Sequence, residues 1–390
     1  MFKCAPLLLF LLIAVFGCQD QLATTEGEAP GLAGELPSWE EDFEESEYKW
    51  GYVNKGGRLV IQAAYDDARN FQEGLAVVRK KGKWGFIDTK GKEVIAPQFK
   101  GAWSFEEGIA RVLTFDGKMG FIDPQGSWRI PAVFEEVQDF SEGMARVLKD
   151  GQYGYIDSRG ELVIPCQFQN AAKFQDGLAK VQIKGNYGLI DLKGELIIEA
   201  QYDRLGHFHD GLARVKKEEK YGFVNRSGEE VIAPDYEVAK DFHDGLAVVK
   251  IGEQYGLIDT KGQTVTPAKY DKAWSVNNGM WGVKMYNKYG LINAKGESVT
   301  PIKYDQLYSY VEGMAGYQVG RLWGYLDSEG KEATPPQFGL VWDFKEGFAR
   351  VAFYEGTGFV NKKGQVVLAP RPNYLDIRDF SEGLARVQVY

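Results

Sequence analysis

From Trp50 onward the chain runs in short apolar bursts separated by polar turns rich in Gly and Asp or Asn. Leu75 to Arg79 is one burst, Gly85-Phe86-Ile87-Asp88 a second, and Glu93-Val94-Ile95 a third. Bursts this short, rich in Val, Ile and Phe, predict strands rather than helices. Lys80 to Trp84, with Gly82, reads as the first turn. Asp88-Thr89-Lys90-Gly91 reads as the second, where Asp caps its own backbone and Gly takes a positive φ. The product is an antiparallel meander, with a short fourth strand expected in the aromatic segment Tyr65 to Phe71. No stretch carries the 3.6-residue period over helical length.

The meander is repeated. Units begin at Trp50, Trp84, Met119, Tyr153, Tyr187, Tyr221, Tyr255, Tyr289, Trp323 and Thr357, spaced 34 residues apart with one interval of 35. The second residue of every unit is Gly, from Gly51 to Gly358, and Asp/Asn-x-x-Gly follows in all ten. The second half reads aromatic-x-acid-Gly-Leu-Ala-x-Val, as in Phe242 to Val249. A fixed period of this length marks a repeat architecture. The segments Lys49-Trp50-Gly51, Lys83-Trp84-Gly85 and Leu322-Trp323-Gly324, with Tyr-Gly equivalents elsewhere, resemble the WG (KWG) repeat family of bacterial exported proteins. The resemblance implies a repeat fold and export, and it implies no particular reaction. Met119 and Thr357 depart from the motif, and Thr357 suggests relaxed packing in the terminal copy.

The fold class is therefore all-β: a tandem array of ten meander repeats of about 34 residues spanning 49–390. The array starts at the second strand of a meander and stops at Leu384-Ala385-Arg386-Val387, the first strand of another. Joining the ends would close a propeller-like toroid. Ten blades exceed the usual four to eight, so an open curved solenoid is the preferred expectation and the closed toroid the alternative.

Residues ahead of the array carry a different signal. Met1 to Phe16 pairs Lys3 with an apolar run too short to span a bilayer as a helix, as in a secretory signal. The run ends at Val15-Phe16-Gly17-Cys18, which resembles a bacterial lipobox, so 1–17 is expected to be a lipoprotein signal peptide and Cys18 the lipidated residue. Residues 18–48 then form an acidic tether, with ten acids between 19 and 48 and no Lys or Arg. The whole chain carries a net charge of −9, yet the acidity belongs to the tether and the array itself is neutral. A neutral array lacks the basic face that nucleic acid requires. Three Cys in 390 residues exclude a disulfide framework, and Cys166 in Val163-Ile164-Pro165-Cys166 reads as a small buried hydrophobe.

Candidate chemistry is sparse. His209 and His243 occupy the same repeat position, each followed by Asp-Gly, which makes them weak candidates for a shared metal site. Other repeats place Gln72, Glu106, Ser141, Gln175 and Lys345 there, as a solvated turn would. An acid precedes the second Gly in nine repeats, with Asn278 in the seventh, and turn stabilisation explains this better than paired glycosidase carboxylates. No phosphate loop, nucleophile elbow or calcium loop is present, so no catalytic residue and no cofactor is expected. Trp274, Tyr308 and Trp342 form an aromatic row in successive repeats, and Trp281 replaces a repeated Ala nearby. Such a row either fills the core between repeats or stacks on sugar rings or a protein partner. The sequence thus predicts a non-catalytic, lipid-anchored binding or scaffold protein of the bacterial envelope, taking a protein or glycan partner. The alternative is a carbohydrate-active enzyme or accessory module using the aromatic row and the repeat acids.

Overall fold

The computed structural model describes residues 47–389, all within the repeat array; the signal segment, Cys18 and the tether up to Ser46 lie outside the described residues. The array folds into ten antiparallel sheets, nine of four strands and one of three, arranged as a ten-bladed β-propeller. Blade 1 consists of Asp67–Ala68, Leu75–Lys80, Lys83–Asp88 and Glu93–Phe99. Blades 2 to 9 repeat this order along the chain. Blade 7 keeps Lys272–Ser275, Met280–Met285 and Lys288–Asn293, while its outer segment pairs only through the bridges Tyr289↔Tyr304 and Ile292↔Ser298.

Blade 10 joins the two ends of the array. Its order is Leu59–Tyr65, Lys49–Asn54, Leu384–Val389, Tyr374–Ser381, with Trp50 opposite Gln388 and Asn54 opposite Leu384. The expected open solenoid is therefore corrected to a closed ring. The reason is visible in the strand phase: half a blade at one end and the complementary half at the other satisfy each other's unpaired edge, which an open array would expose. Each sequence repeat consequently supplies the last two strands of one blade and the first two of the next. The short strand expected between Tyr65 and Phe71 is the first, inner strand, Asp67–Ala68, of the blade that follows.

The invariant Gly of each unit lies where the fourth strand bulges against the third. A Cβ on Gly85 would sit 2.5 Å from the Ile95 carbonyl oxygen and 2.6 Å from the Pro97 nitrogen, so only hydrogen fits. The Asp-x-x-Gly turns close as expected: Asp88 Oδ1 accepts from the Lys90 and Lys92 N–H groups at 2.9 Å, and Gly91 N–H donates to Asp88 O.

Between blades, aromatic rings from neighbouring sheets form the core. Tyr52 packs on Phe71 at 4.8 Å between centroids, Phe86 on Phe105 at 5.0 Å and Tyr155 on Phe174 at 4.8 Å. Where the third-strand ring is Tyr, its hydroxyl donates onward, as Tyr52 OH to Arg69 O at 2.6 Å and Tyr155 OH to Ala172 O at 2.6 Å. Blade 7 departs from this scheme: Val276 replaces the aromatic, and Trp281 replaces an Ala fully buried in the other nine blades. Trp281, 1% exposed, adds its volume to a core cluster shared with Leu246, Val248 and Tyr270 of blade 6.

Candidate functional site: the inner cation stack and its interruption

The x of Leu-Ala-x-Val lies on the second strand of each blade, next to the blade's first strand. In sequence order it is Val77, Arg111, Arg146, Lys180, Arg214, Val248, Gly282, Gly316, Arg350 and Arg386. The arginines reach across to the following blade and donate to its first-strand carbonyls. Arg111 Nη1 meets Val137 O at 2.8 Å and Arg214 Nη1 meets Ala239 O at 2.7 Å, while Arg386 of blade 10 reaches Ala68 O across the seam. Three of them also hold a carboxylate there: Arg111–Asp139 at 2.9 Å, Arg214–Asp241 at 3.3 Å and Arg350–Asp379 at 2.5 Å.

Each of these cations lies over a ring. Arg146 is 4.6 Å from the Tyr153 centroid, Lys180 5.5 Å from Tyr187, Arg214 5.4 Å from Tyr221 and Arg386 5.2 Å from Trp50. The WG-motif aromatic is therefore the floor of a cation stack. Met119 and Thr357 cannot serve that role, and blades 2 and 9 move the ring to the first strand instead. Arg111 lies 4.3 Å over Trp103, and Arg350 lies 4.7 Å over Trp342. Thr357 therefore marks a relocated ring, beside an outer strand that is shortened to Val366–Leu368.

In blades 7 and 8 the cation is gone. Gly282 and Gly316 take its place, and the first-strand ring swings into the vacated volume. A Cβ on Gly282 would lie 2.3 Å from the Trp274 ring, and one on Gly316 would lie 3.0 Å from Tyr308. Trp274 then meets Tyr289 edge-on at 5.7 Å, and Tyr308 lies on Trp323 at 4.6 Å with 32° between planes. The aromatic row of the sequence is thus three rings in two settings. Trp274 is 7% exposed and Trp281 is core, so neither offers a ring face to a ligand, whereas Tyr308 and Trp342 are half-buried.

The structure brings His209 and His243 together, 5.3 Å between centroids on the adjoining turns of blades 5 and 6. Among the described residues no cluster of three or more His, Cys, Asp or Glu could hold a metal ion. Cys166 is half-buried and free, and burial pushes its thiol up, with Lys149 opposing only part of the effect.

The acids before the second Gly do more than cap their own turn. Each such turn has two successive residues at positive φ, for example Glu73 at 52° and Gly74 at 77°, the type I′ geometry that normally prefers Asn-Gly. Seven of the nine carboxylates cross to the next blade. Glu73 accepts from Gly108 N–H at 3.0 Å, Glu142 from Gly177 N–H at 2.8 Å, Asp210 from Gly245 N–H at 2.8 Å and Glu312 from Gly347 N–H at 2.8 Å. Glu382 completes the circle by accepting from Gly74 N–H at 3.0 Å, 308 residues away in sequence. Asn278, the one neutral member, donates instead to Ser328 O.

Two open cavities flank blades 2 to 4. One of about 290 Å³ is lined by Glu106, Gln138, Asp139, Arg146 and Lys173, and one of about 440 Å³ by Glu107, Asp123, Gln125, Arg129 and Ser158. Burial pushes the Asp139 carboxyl up, and Arg111 recovers part of that shift. The sequence reading missed the arginine–aspartate pairs. Their signal was present in the variable x of Leu-Ala-x-Val, which needed a partner position in the next unit to become meaningful.

Models of the WG containing repeat match ten consecutive segments: 50–84, 84–118, 119–153, 153–187, 187–221, 221–255, 255–289, 289–323, 323–353 and 358–390. No curated protein matches the chain. Among solved structures, one described as the eukaryotic initiation factor is similar at 12% identity and a TM-score of 0.49, covering 76% of this chain and 95% of its own. BamB from Moraxella catarrhalis is similar at 10% identity and a TM-score of 0.34, covering 73% and 96%. The computationally designed Ika8 protein is similar at 12% identity and a TM-score of 0.36, covering 77% and 93%. Likenesses this distant carry no functional information. The tenfold match and the shared glycine geometry of all ten units place the chain in the WG repeat family.

Proposed function

We propose that the propeller is a non-catalytic binding scaffold that docks a protein partner on one rim, held at a bacterial membrane by a lipid on Cys18. The observation that carries this reading is an arc of exposed apolar side chains on consecutive blades. Ile251, Tyr286, Val319, Leu322 and Tyr354 all lie at the hairpin between second and third strands of blades 6 to 9, hence on one rim. Tyr286 is 87% exposed and Tyr354 fully so. Apolar residues grouped this way, with Tyr prominent, are the composition of protein-binding patches. The repeat acids are occupied in clasping neighbouring blades, which favours binding over the glycosidase alternative.

The test is crosslinking capture from membranes of the native host with wild-type chain and a Tyr286→Ser/Tyr354→Ser/Ile251→Ser variant. One partner lost selectively from the variant supports the reading. Equal capture by both, or release of reducing sugar from glycans by purified protein, overturns it. The anchor is checked separately: Cys18→Ser abolishes labelling by a fatty-acid analogue if Cys18 is lipidated.

A further inference from the structure

In blades 2, 7, 8 and 9 the first strand carries a large ring beside the second strand: Trp103, Trp274, Tyr308 and Trp342. Blade 3 places Gln138 at that position, and a cavity of about 290 Å³ opens beside it. Its walls are Glu106, Gln138, Asp139, Phe140, Arg146 and Lys173. Its volume lies at the lower end of the range for small-molecule sites.

Arg146 reaches this cavity with one donor unused. Its Nη1 donates to the Ala171 carbonyl and its Nη2 to Glu136 Oε1 at 3.0 Å, while its guanidinium lies over Tyr153. Its Nε is buried and has no partner. At Arg111, Arg214 and Arg350 the Nε lies 2.9, 3.3 and 2.5 Å from an aspartate of the next blade. The position equivalent to that aspartate beside Arg146 is Lys173, a second cation, exposed at the cavity. Arg386 also lacks an Nε partner, but there the equivalent residue is the neutral Asn70. Two cations on one cavity, one with an unsatisfied buried N–H, are matched by an anionic acceptor.

The opposite wall has the opposite sign. Glu106 belongs to blade 2 and Asp139 pairs with Arg111 of that blade, whereas Lys173 belongs to blade 4 and Arg146 donates to blade 4. The lining charges cancel, two acids against two bases, yet they are segregated by blade. We propose that this cavity is a subsite for a small zwitterion carrying a carboxylate and a primary ammonium group. The carboxylate takes the place of the aspartate found at the equivalent interfaces, accepting from Arg146 Nε and Lys173, and the ammonium donates to Glu106 and Asp139. A dianion such as phosphate meets the same cations but faces both acids, which opposes it. The site lies toward the turns between first and second strands, at the other end of the sheets from the rim hairpins, so a failure of the rim variants leaves it standing.

The test is calorimetric titration of the full chain with β-alanine, γ-aminobutyrate and ε-aminocaproate, three zwitterions of increasing charge separation. Butyrate, phosphate and butylamine serve as probes of a single sign. Saturable binding of at least one zwitterion, at least about tenfold tighter than any single-sign probe, is the expected result. Lys173→Asp, which rebuilds the arginine–aspartate pair, is expected to abolish binding without lowering the melting temperature. Glu106→Gln is expected to weaken binding at least about tenfold, and Lys345→Met on blade 9 to leave it unchanged. No saturable binding of any zwitterion, a single-sign probe bound as tightly, or equal binding by wild type and Lys173→Asp overturns the proposal.

Discussion

Blades 3 to 5 and blades 7 and 8 fill the same inner volume with opposite chemistry. In the first group a cation lies on the WG-motif tyrosine, and Arg146 and Arg214 hydrogen-bond to the next blade, tying two sheets together through polar contacts. In the second group glycine replaces the cation and a ring from the same blade covers the motif aromatic. The repeat therefore conserves a stack rather than a residue. An arginine stack couples neighbouring blades directly, whereas a ring stack is completed within one blade.

The largest expected effect lies at the boundary between the two groups. Trp281→Ala removes a fully buried indole and is expected to cost about 3–5 kcal/mol in urea unfolding, with Val276→Phe recovering part of it. A loss below about 1 kcal/mol would mean the indole is not filling the Val276 deficit.

Gly282→Ala comes next, at about 1–3 kcal/mol, because its Cβ meets the Trp274 ring. Trp274→Ala added to it should relieve that strain. Gly154→Ala, whose Cβ would lie 2.6 Å from the Ile164 carbonyl oxygen, should find no such side-chain rescue. Equal rescue at both sites would erase the distinction between ring and backbone opposition.

Arg214→Met is expected to cost about 1–3 kcal/mol by stranding Asp241 and the Ala239 carbonyl. Adding Asp241→Ser should recover roughly half, since it reproduces the Val248 and Ser275 pairing of the next interface. Absence of any coupling in this double-mutant cycle would show the arginine–aspartate pair to be incidental.

The smallest effect concerns the carboxylate clasps. Burial pushes the Glu346 carboxyl up, but Lys55 and the Gly383 N–H outweigh it, so its folded value lies below the ordinary 4.5. A depressed folded value stabilises the fold at neutral pH and is lost as pH falls from about 4.5 through the folded value. Discounted for solvent screening, Glu346→Gln should cost about 0.5 kcal/mol at pH 7 and nothing once the wild-type carboxyl is protonated. A constant difference across that range would place the contribution in packing.

Strand count, turn chemistry and repeat length were legible in the sequence because each rests on local rules: Asp88 and Gly91 close a turn whatever surrounds them. Ring closure was half legible. The strand phase at Trp50 and Leu384 pointed to it, but blade number argued the other way, and only pairing energy at two exposed edges decides. The acids of the Glu-Gly turns looked local and proved intersheet, since a carboxylate reaching a Gly N–H on the next blade leaves no trace in its own repeat. The aromatic row was found by comparing repeats, yet its meaning depended on Gly282 and Gly316, small residues that carry no signal alone.

The half-blade offset at the seam has a consequence for how such chains change length. Because the two ends complement each other at the level of one unit, deletion or duplication of a whole unit leaves the seam strands and their pairing unaltered. Only the wedge angle per sheet and the width of the central opening must adjust. Recombination in register between units can therefore enlarge or shrink the ring without inventing a new closure, whereas an out-of-register break removes a complete sheet. The seam thus acts as a template that accepts any integer number of units, and ring size becomes a tunable quantity set by how many copies the interblade wedge tolerates.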